Sequence, residues 1–377
     1  MIGTRGIPAA YGGFETAVEE VGARLVERGH RITVYTRGAS QRLREYRGMS
    51  VVHLPSVPQK HLETLSHTAL STLHAVTRKA PDAAFVFNAA NSPLVPLLRA
   101  RGIPVALHMD GIEWKRSKWG GRGKAYYRWA EEFGVRSADA LIADAPGIAD
   151  YYRSEFGVPT KLLRYGAPII DSAPAESIRA LGLEPGGYHL VVARFEPENH
   201  VREIVEGYHA SAAAAPLVVV GSAPYAAEYT QRIHAAAGDD PRIMFLGGIY
   251  DQDLLDALYF HANTYVHGHS VGGTNPSLLR AMGAGTATIA YDVGFNREVL
   301  DGHGWFFSDA AEIERHFSSL ERNAGDVDRL AHLVRDRAAG AFDWRDVAEG
   351  YESLAVGLVS GNTIHRQARR ARRATAR

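Results

Sequence analysis

Residues 267–285 read His-Gly-His-Ser-Val-Gly-Gly-Thr-Asn-Pro-Ser-Leu-Leu-Arg-Ala-Met-Gly-Ala-Gly. A short strand-like run, 263–266, leads into them, and a helix is expected to open at Pro276 or Ser277. Proline suits a helix first turn, because the N–H it lacks has no intrahelical partner there. Gly272 and Gly273 allow close backbone approach to a ligand and conformations closed to other residues. The first turn of a helix offers free N–H groups and the positive end of the dipole, which favour a phosphate. Gly272, Gly273, Thr274, Asn275 and Ser277 therefore form a candidate diphosphate cradle at the carboxyl edge of a parallel sheet. An ordinary capped strand-to-helix turn would use the same residues.

Outward from this stretch the pattern repeats. Apolar, β-branched runs recur at 31–36, 50–54, 83–87, 104–108, 140–143 and 161–164, then at 188–193, 216–220, 242–246 and 287–291, with helical stretches between most of them. Such alternation means doubly wound parallel sheets. At 377 residues the chain is too long for one typical core, so two α/β domains are expected. The turn-rich segment 168–187 reads as their linker, giving domains over 1–167 and 188–340. A C-terminal helix is expected over 341–360. Residues 361–377 read as a basic, solvated tail, six of the last twelve residues being arginine. Met1-Ile2 looks like a strand stub, shorter than the usual five or so residues; either the true start lies upstream or the strand is truncated.

Composition narrows the classes. Lys+Arg and Asp+Glu both number 42, so bulk charge points neither to nucleic acid nor to membrane. With no cysteine there is no disulfide, thiol nucleophile or Cys-ligated zinc. No signal-peptide pattern is visible, and no apolar run approaches the roughly 18 residues that span a bilayer. A cytoplasmic enzyme fits these features.

Three further stretches carry chemistry. The loop 3–13 lacks the dinucleotide fingerprint spacing, but Arg5, Gly12 and Gly13 suit a phosphate or a sugar. His108, Asp110 and Glu113 follow a strand at its carboxyl end, where each can bond a sugar hydroxyl or manage a proton, or simply form a satisfied polar loop. Just beyond, Trp114, Lys115, Arg116, Lys118 and Trp119 begin a mixture of aromatic and basic side chains that runs to Trp129. The mixture suits a membrane–water interface or a phosphate-bearing acceptor, and equally a helix packing aromatics inward. Arg194 follows the strand 188–193, where its planar fork of donors can clamp a diphosphate or pair with Glu196 or Glu198. His267 and His269 have chelating spacing without a visible third ligand, so no metal site is expected.

Taken together, these residues resemble the retaining family 4 GT-B glycosyltransferases, which use nucleotide-sugar donors. The resemblance covers about residues 1–355. It rests on Gly3-Thr-Arg-Gly-Ile-Pro-Ala-Ala-Tyr-Gly-Gly-Phe-Glu15, Asp110-Gly-Ile-Glu-Trp-Lys-Arg116 and the 267–279 run, which look like a branch that includes rhamnosyltransferases extending lipid-linked glycans. It implies two Rossmann-like domains facing a central cleft. The donor diphosphate would lie on Arg194 and the 272–277 backbone, the base near Gly247–Tyr250, and the acceptor past Gly12, Gly13 and residues 108–119. The resemblance also implies no metal and no cofactor beyond the sugar nucleotide.

The sequence departs from the family at three donor-side positions. The two motif glutamates, eight positions apart, are replaced by Gly272 and Arg280, and Asn199 stands where a lysine is usual. A glutamate bridging both ribose hydroxyls is thus absent, which favours a donor with one such hydroxyl. dTDP-rhamnose is the expected donor and a polyprenyl-diphosphate-linked glycan the expected acceptor, on the inner face of the plasma membrane. The same departures leave open a catalytically degenerate GT-B nucleotide- or glycan-binding protein, and a GT-B-fold sugar-nucleotide epimerase. Asp251-Gln-Asp253 resembles the D-x-D metal motif of another glycosyltransferase class, but Asp251 is better read as a helix N-cap.

Overall fold

The computed structural model describes residues 1–9, 13–38, 43–59, 62–78, 80–109, 111–115, 119–222, 227–320 and 322–365. Gly12, Asp110, Arg116 and Lys118 lie outside them, as does the basic tail from 366 onward. The chain divides into two compact units: Met1–Tyr165 together with Trp344–Arg377, and Gly166–Asp343.

The first unit runs α1 (Gly13–Glu27), β1 (Thr33–Thr36), β2 (Glu45–Tyr46), β3 (Met49–His53), α2 (Glu63–Thr77), β4 (Ala84–Phe87), α3 (Val95–Ala100), β5 (Val105–His108), α4 (Gly121–Ser137), β6 (Ala140–Ala143), α5 (Pro146–Phe156) and β7 (Lys161–Leu162). Its strands form one set ordered β1-β3-β2 and another ordered β4-β5-β6-β7. Residues 1–2 join them: Tyr35 N–H donates to Met1 O, Ile2 N–H to Phe85 O, and Phe87 N–H to Ile2 O. Apart from the β2–β3 hairpin, the pairings are parallel. Val86, Leu98, Val105, Leu107 and Leu141 are among the buried residues of the core.

Helix α2 is inverted relative to ordinary amphipathic packing. His67, Thr68, Ser71 and Thr72 are fully buried, while Leu62, at its N-cap, Leu70 and Leu73 are exposed. The hydroxyls of Thr68 and Thr72 have no hydrogen-bond partner. Each such buried orphan costs about 1–3 kcal/mol.

The second unit runs α6 (Ala175–Arg179), β8 (His189–Val192), α7 (Val201–Ala210), β9 (Leu217–Val220), α8 (Ala227–Ala237), β10 (Ile243–Gly247), α9 (Gln252–His261), β11 (Thr264–His267), α10 (Pro276–Ala284), β12 (Ala287–Tyr291), α11 (Gly294–Leu300), β13 (Trp305–Phe307), α12 (Ala310–Leu320) and α13 (Ala324–Ala341). All six strands are parallel, in the order β10-β9-β8-β11-β12-β13. This is the Rossmann order, and its switch point lies between β8 and β11. The strands are short and apolar on both faces, with Val191, Val219, Val266 and Ile289 buried, because helices cover each side of a parallel sheet. Residues 168–187 fall inside this unit. There Ile170 N–H donates to Gly283 O, and Gly186 N–H donates to His261 O.

The last helix, α14 (Trp344–Val359), belongs to the first unit and packs against α1 and β5. Arg28 and His30 bond the Glu352 carboxylate at 2.7 and 2.6 Å, and the Phe85 and Tyr351 rings meet edge to face at 5.1 Å. No helix among the described residues is long and apolar enough to cross a membrane.

Candidate donor and acceptor sites

The loops that leave β8 and β11 flank the switch point of the second unit, where open α/β sheets place ligands. Backbone contact fastens them together. A Cβ on Gly268 would stand 2.0 Å from Asn199 O, so only glycine fits there. Ser270 N–H donates to Glu198 O at 2.9 Å, and His200 Nδ1 donates to Gly268 O at 2.7 Å. His200, in the left-handed region at φ 46°, stacks on Tyr291 with ring centroids 3.9 Å apart.

Asn199 locks the arrangement. Its Nδ2 donates to Arg194 O at 2.8 Å, which turns Oδ1 toward His269 Nδ1 at 2.7 Å. An amide oxygen only accepts, so His269 carries its proton on Nδ1. Asn296 Nδ2 in turn donates to His269 O. The Arg194 guanidinium is partly exposed, with its amino group 3.5 Å from Glu196. At 3.5 Å this contact is too long for a good hydrogen bond, which leaves the donors of the fork open to a ligand.

The candidate cradle is a capped strand-to-helix turn. Helix α10 opens at Pro276, and Asn275 caps it by accepting from Ser277 N–H at 2.9 Å. Gly272 has φ 129°, closed to most side chains, and Thr274 is buried. Beneath the loop, His267 is buried. Its Nδ1 lies 3.1 Å from the Tyr265 hydroxyl, and its Nε2 has no partner. Burial lowers the His267 pKa to about 3, so the ring is neutral.

Three donor-side residues lie apart from this cluster. Gly247 ends β10, the edge strand, and Tyr250 follows it, strongly exposed. Arg280, on α10, pairs with Asp256 of α9, and both side chains are partly buried. The Asp251 carboxylate accepts from Asp253 and Leu254 N–H, as a helix cap does. Among the described residues, no three His, Asp or Glu side chains are grouped to hold a metal ion.

In the first unit, Gly13 begins α1, and Arg5 N–H donates to Glu15 within that helix at 2.8 Å. His108 ends β5 as a buried ring among Phe14, Phe87 and Tyr165, with centroids 5.0, 5.6 and 6.3 Å away. Burial lowers its pKa to about 3. The Glu113 carboxylate, also buried, accepts from Trp119 Nε1 at 2.9 Å. The Trp114 ring has the Arg128 guanidinium 4.8 Å and the Lys115 ammonium 5.6 Å from its centroid. Trp114 and Trp119 are thus engaged within the unit, while Trp129 of α4 is exposed. Sequence reading missed Arg37, which is buried after β1 and donates to Thr4 O, Glu63 and Thr64. It also weighed His269 only as a chelator.

The comparisons agree with this architecture. Residues 12–166 match the glycosyl transferase 4-like domain model, and residues 187–323 match the glycosyl transferases group 1 model. No curated protein matches the chain. The sucrose-phosphate synthase from Thermosynechococcus elongatus is similar in structure, with a TM-score of 0.79 at 19% identity over 93% of this chain and 94% of that one. Anabaena HepE in complex with UDP-glucose gives 0.75 at 15% identity over 93% and 98%. A glycosyltransferase from Rickettsia africae gives 0.70 at 12% identity over 95% and 98%. The two parallel-sheet units are those of a GT-B glycosyltransferase. More particularly, the chain joins a glycosyl transferase 4-like domain to a glycosyl transferases group 1 domain.

Proposed function

We propose that the protein transfers rhamnose from dTDP-rhamnose to a glycan carried on a polyprenyl diphosphate, with retention of configuration and without a metal. The observation that carries this reading is the fastening of the Arg194–Asn199 loop to the glycine-rich loop at the switch point, beside the capped start of α10. A diphosphate laid there would meet the Arg194 fork and the positive helix end, which stabilise the leaving group as its charge develops. Retention then needs no protein nucleophile, because a leaving-phosphate oxygen can take the proton of the attacking hydroxyl. The sugar nucleotide bound in the Anabaena structure supports a donor of this class. Acceptor binding falls to the first unit, at the carboxyl ends of its strands, and the enzyme works at a membrane surface.

A second reading draws on Arg280, which is held by Asp256 where a ribose-binding glutamate is usual. It makes the protein a nucleotide-binding relative without transfer, or a sugar-nucleotide epimerase. Incubating the protein with dTDP-rhamnose in excess chelator, with and without a polyprenyl-linked acceptor, separates the three. Transfer that retains the donor's anomeric configuration, read by NMR, supports the proposal. A changed sugar without acceptor indicates an epimerase, and binding without change indicates a degenerate protein. Activity lost to chelator and restored by Mg²⁺ or Mn²⁺ overturns the metal-independent site.

A further inference from the structure

Helix α2 presents to solvent the side chains that water expels and buries those that water would solvate. A surface helix normally turns an apolar stripe to its core. Here the inward stripe is His67, Thr68, Ser71 and Thr72, the hydroxyls of Thr68 and Thr72 being orphaned, while Leu70 and Leu73 face out, Leu73 at 56% exposure. Rotation about the helix axis would bury the leucines and hydrate the hydroxyls, so the observed orientation is costly unless the outward face meets something apolar.

The neighbouring helices extend that face. α2 lies against α3, and α3 against α4. Leu97 on α3 is 56% exposed and Trp129 on α4 is 49% exposed. Trp129 stacks on Phe133 at 5.5 Å, which presents a rigid aromatic pair. Exposed cations lie on or next to the same helices. Arg78 ends α2, and Arg122 and Lys124 lie in the first turn of α4; all three are exposed, and none forms an ion pair among the described residues. The one acid nearby on the exposed side of α4, Glu132, already pairs with Arg136.

We infer that the α2–α3–α4 face of the first unit seats on an anionic bilayer surface. Leu70, Leu73, Leu97 and Trp129 enter the headgroup–acyl boundary, and Arg78, Arg122 and Lys124 meet lipid phosphates. Leucine and tryptophan beside unpaired cations is the chemistry of an interfacial helix, and tryptophan favours the headgroup layer. The proposal deepens the reading above by naming where the enzyme meets the membrane that carries its acceptor. It replaces Trp114 and Trp119, which are engaged within the unit, as the contacting aromatics.

Flotation of the full chain tests it, using vesicles of phosphatidylcholine with an equal part of phosphatidylglycerol, and of phosphatidylcholine alone. The protein should rise with the anionic vesicles and release at high salt. Leu70→Gln with Leu73→Gln should lower the partition coefficient on the order of tenfold or more. Arg122→Gln with Lys124→Gln should lower it roughly fivefold per charge removed. Leu97→Gln is a second apolar variant should the α2 pair disturb folding. All should keep wild-type thymidine diphosphate binding, since that site is on the second unit. Wild-type protein that stays soluble overturns the inference, as do leucine variants that float unchanged or a face that gel filtration shows to be a dimer contact. Protein that floats as expected but transfers no sugar leaves the inference standing and removes the proposed function.

Discussion

His269 Nδ1 donates to Asn199 Oδ1 across 2.7 Å, and this bond fastens the loop after β8 to the loop after β11 at one point. Asn199 makes that bond while its Nδ2 holds Arg194 O, so one amide serves the arginine loop and the histidine loop together. Asn199→Leu, of similar size, removes both bonds and leaves the His269 imidazole N–H unmatched, while Arg194 O keeps its bond from Glu196 N–H. The expected loss is on the order of 2–4 kcal/mol in urea unfolding, with weaker donor binding. A midpoint within experimental error of wild type would show that the two loops are held by other means.

Arg194 is expected to be the diphosphate clamp. Arg194→Lys keeps a positive charge but loses the planar fork. A charge-assisted contact is worth about 1.5–3 kcal/mol, so kcat/KM for the donor should fall roughly tenfold to a hundredfold. Equal rates for variant and wild type at limiting donor would return Arg194 to its half-exposed pairing with Glu196.

The donor base should be thymine. Arg280, committed to Asp256, offers no carboxylate to bridge two ribose hydroxyls, so a deoxyribose nucleotide forfeits less there than elsewhere in the family. In calorimetric competition thymidine diphosphate should displace uridine and guanosine diphosphates. A clear preference for either ribonucleotide would sink the dTDP-rhamnose assignment.

Acid should destabilise the protein well above the carboxylate range. Burial lowers His67 and His189 to about 4, and His108 and His267 to about 3, against an ordinary value of 6.5. Below pH 6.5 the unfolded chain takes up protons at these rings and the folded protein does not. Stability therefore falls as pH drops from 6.5 toward 4, by up to about 1.4 kcal/mol per pH unit for each ring. Urea midpoints that stay level between pH 7 and pH 5 would show that these rings gain protons without unfolding.

Much of this architecture is legible locally. The run 287–291 is β12, 83–87 is β4 within one residue, and Pro276 begins α10, because short apolar strands and a capping Asn-Pro need no distant information. Features set by distant partners are not. Asn199 and His269 are seventy residues apart in sequence, and no periodicity links them. Strand β2 has two residues, too few to show alternation. The aromatic and basic run after Glu113 has the composition of an interface, but composition does not say that Trp119 turns inward to a carboxylate while Trp129 turns out. Nor does it say that α2 buries its hydroxyls rather than its leucines.

The return of α14 to the first unit has a consequence for synthesis on the ribosome. Met1–Tyr165 emerges ahead of the second unit, yet the helix that packs on α1, with Glu352 for Arg28 and His30, is translated after it. The whole of 166–343 must be made in between, roughly ten to thirty-five seconds at ~5–20 residues per second. Throughout that interval the Phe85 ring that Tyr351 will meet is without that partner. The second unit, unbroken in sequence, is free to complete its fold ahead of the one that precedes it.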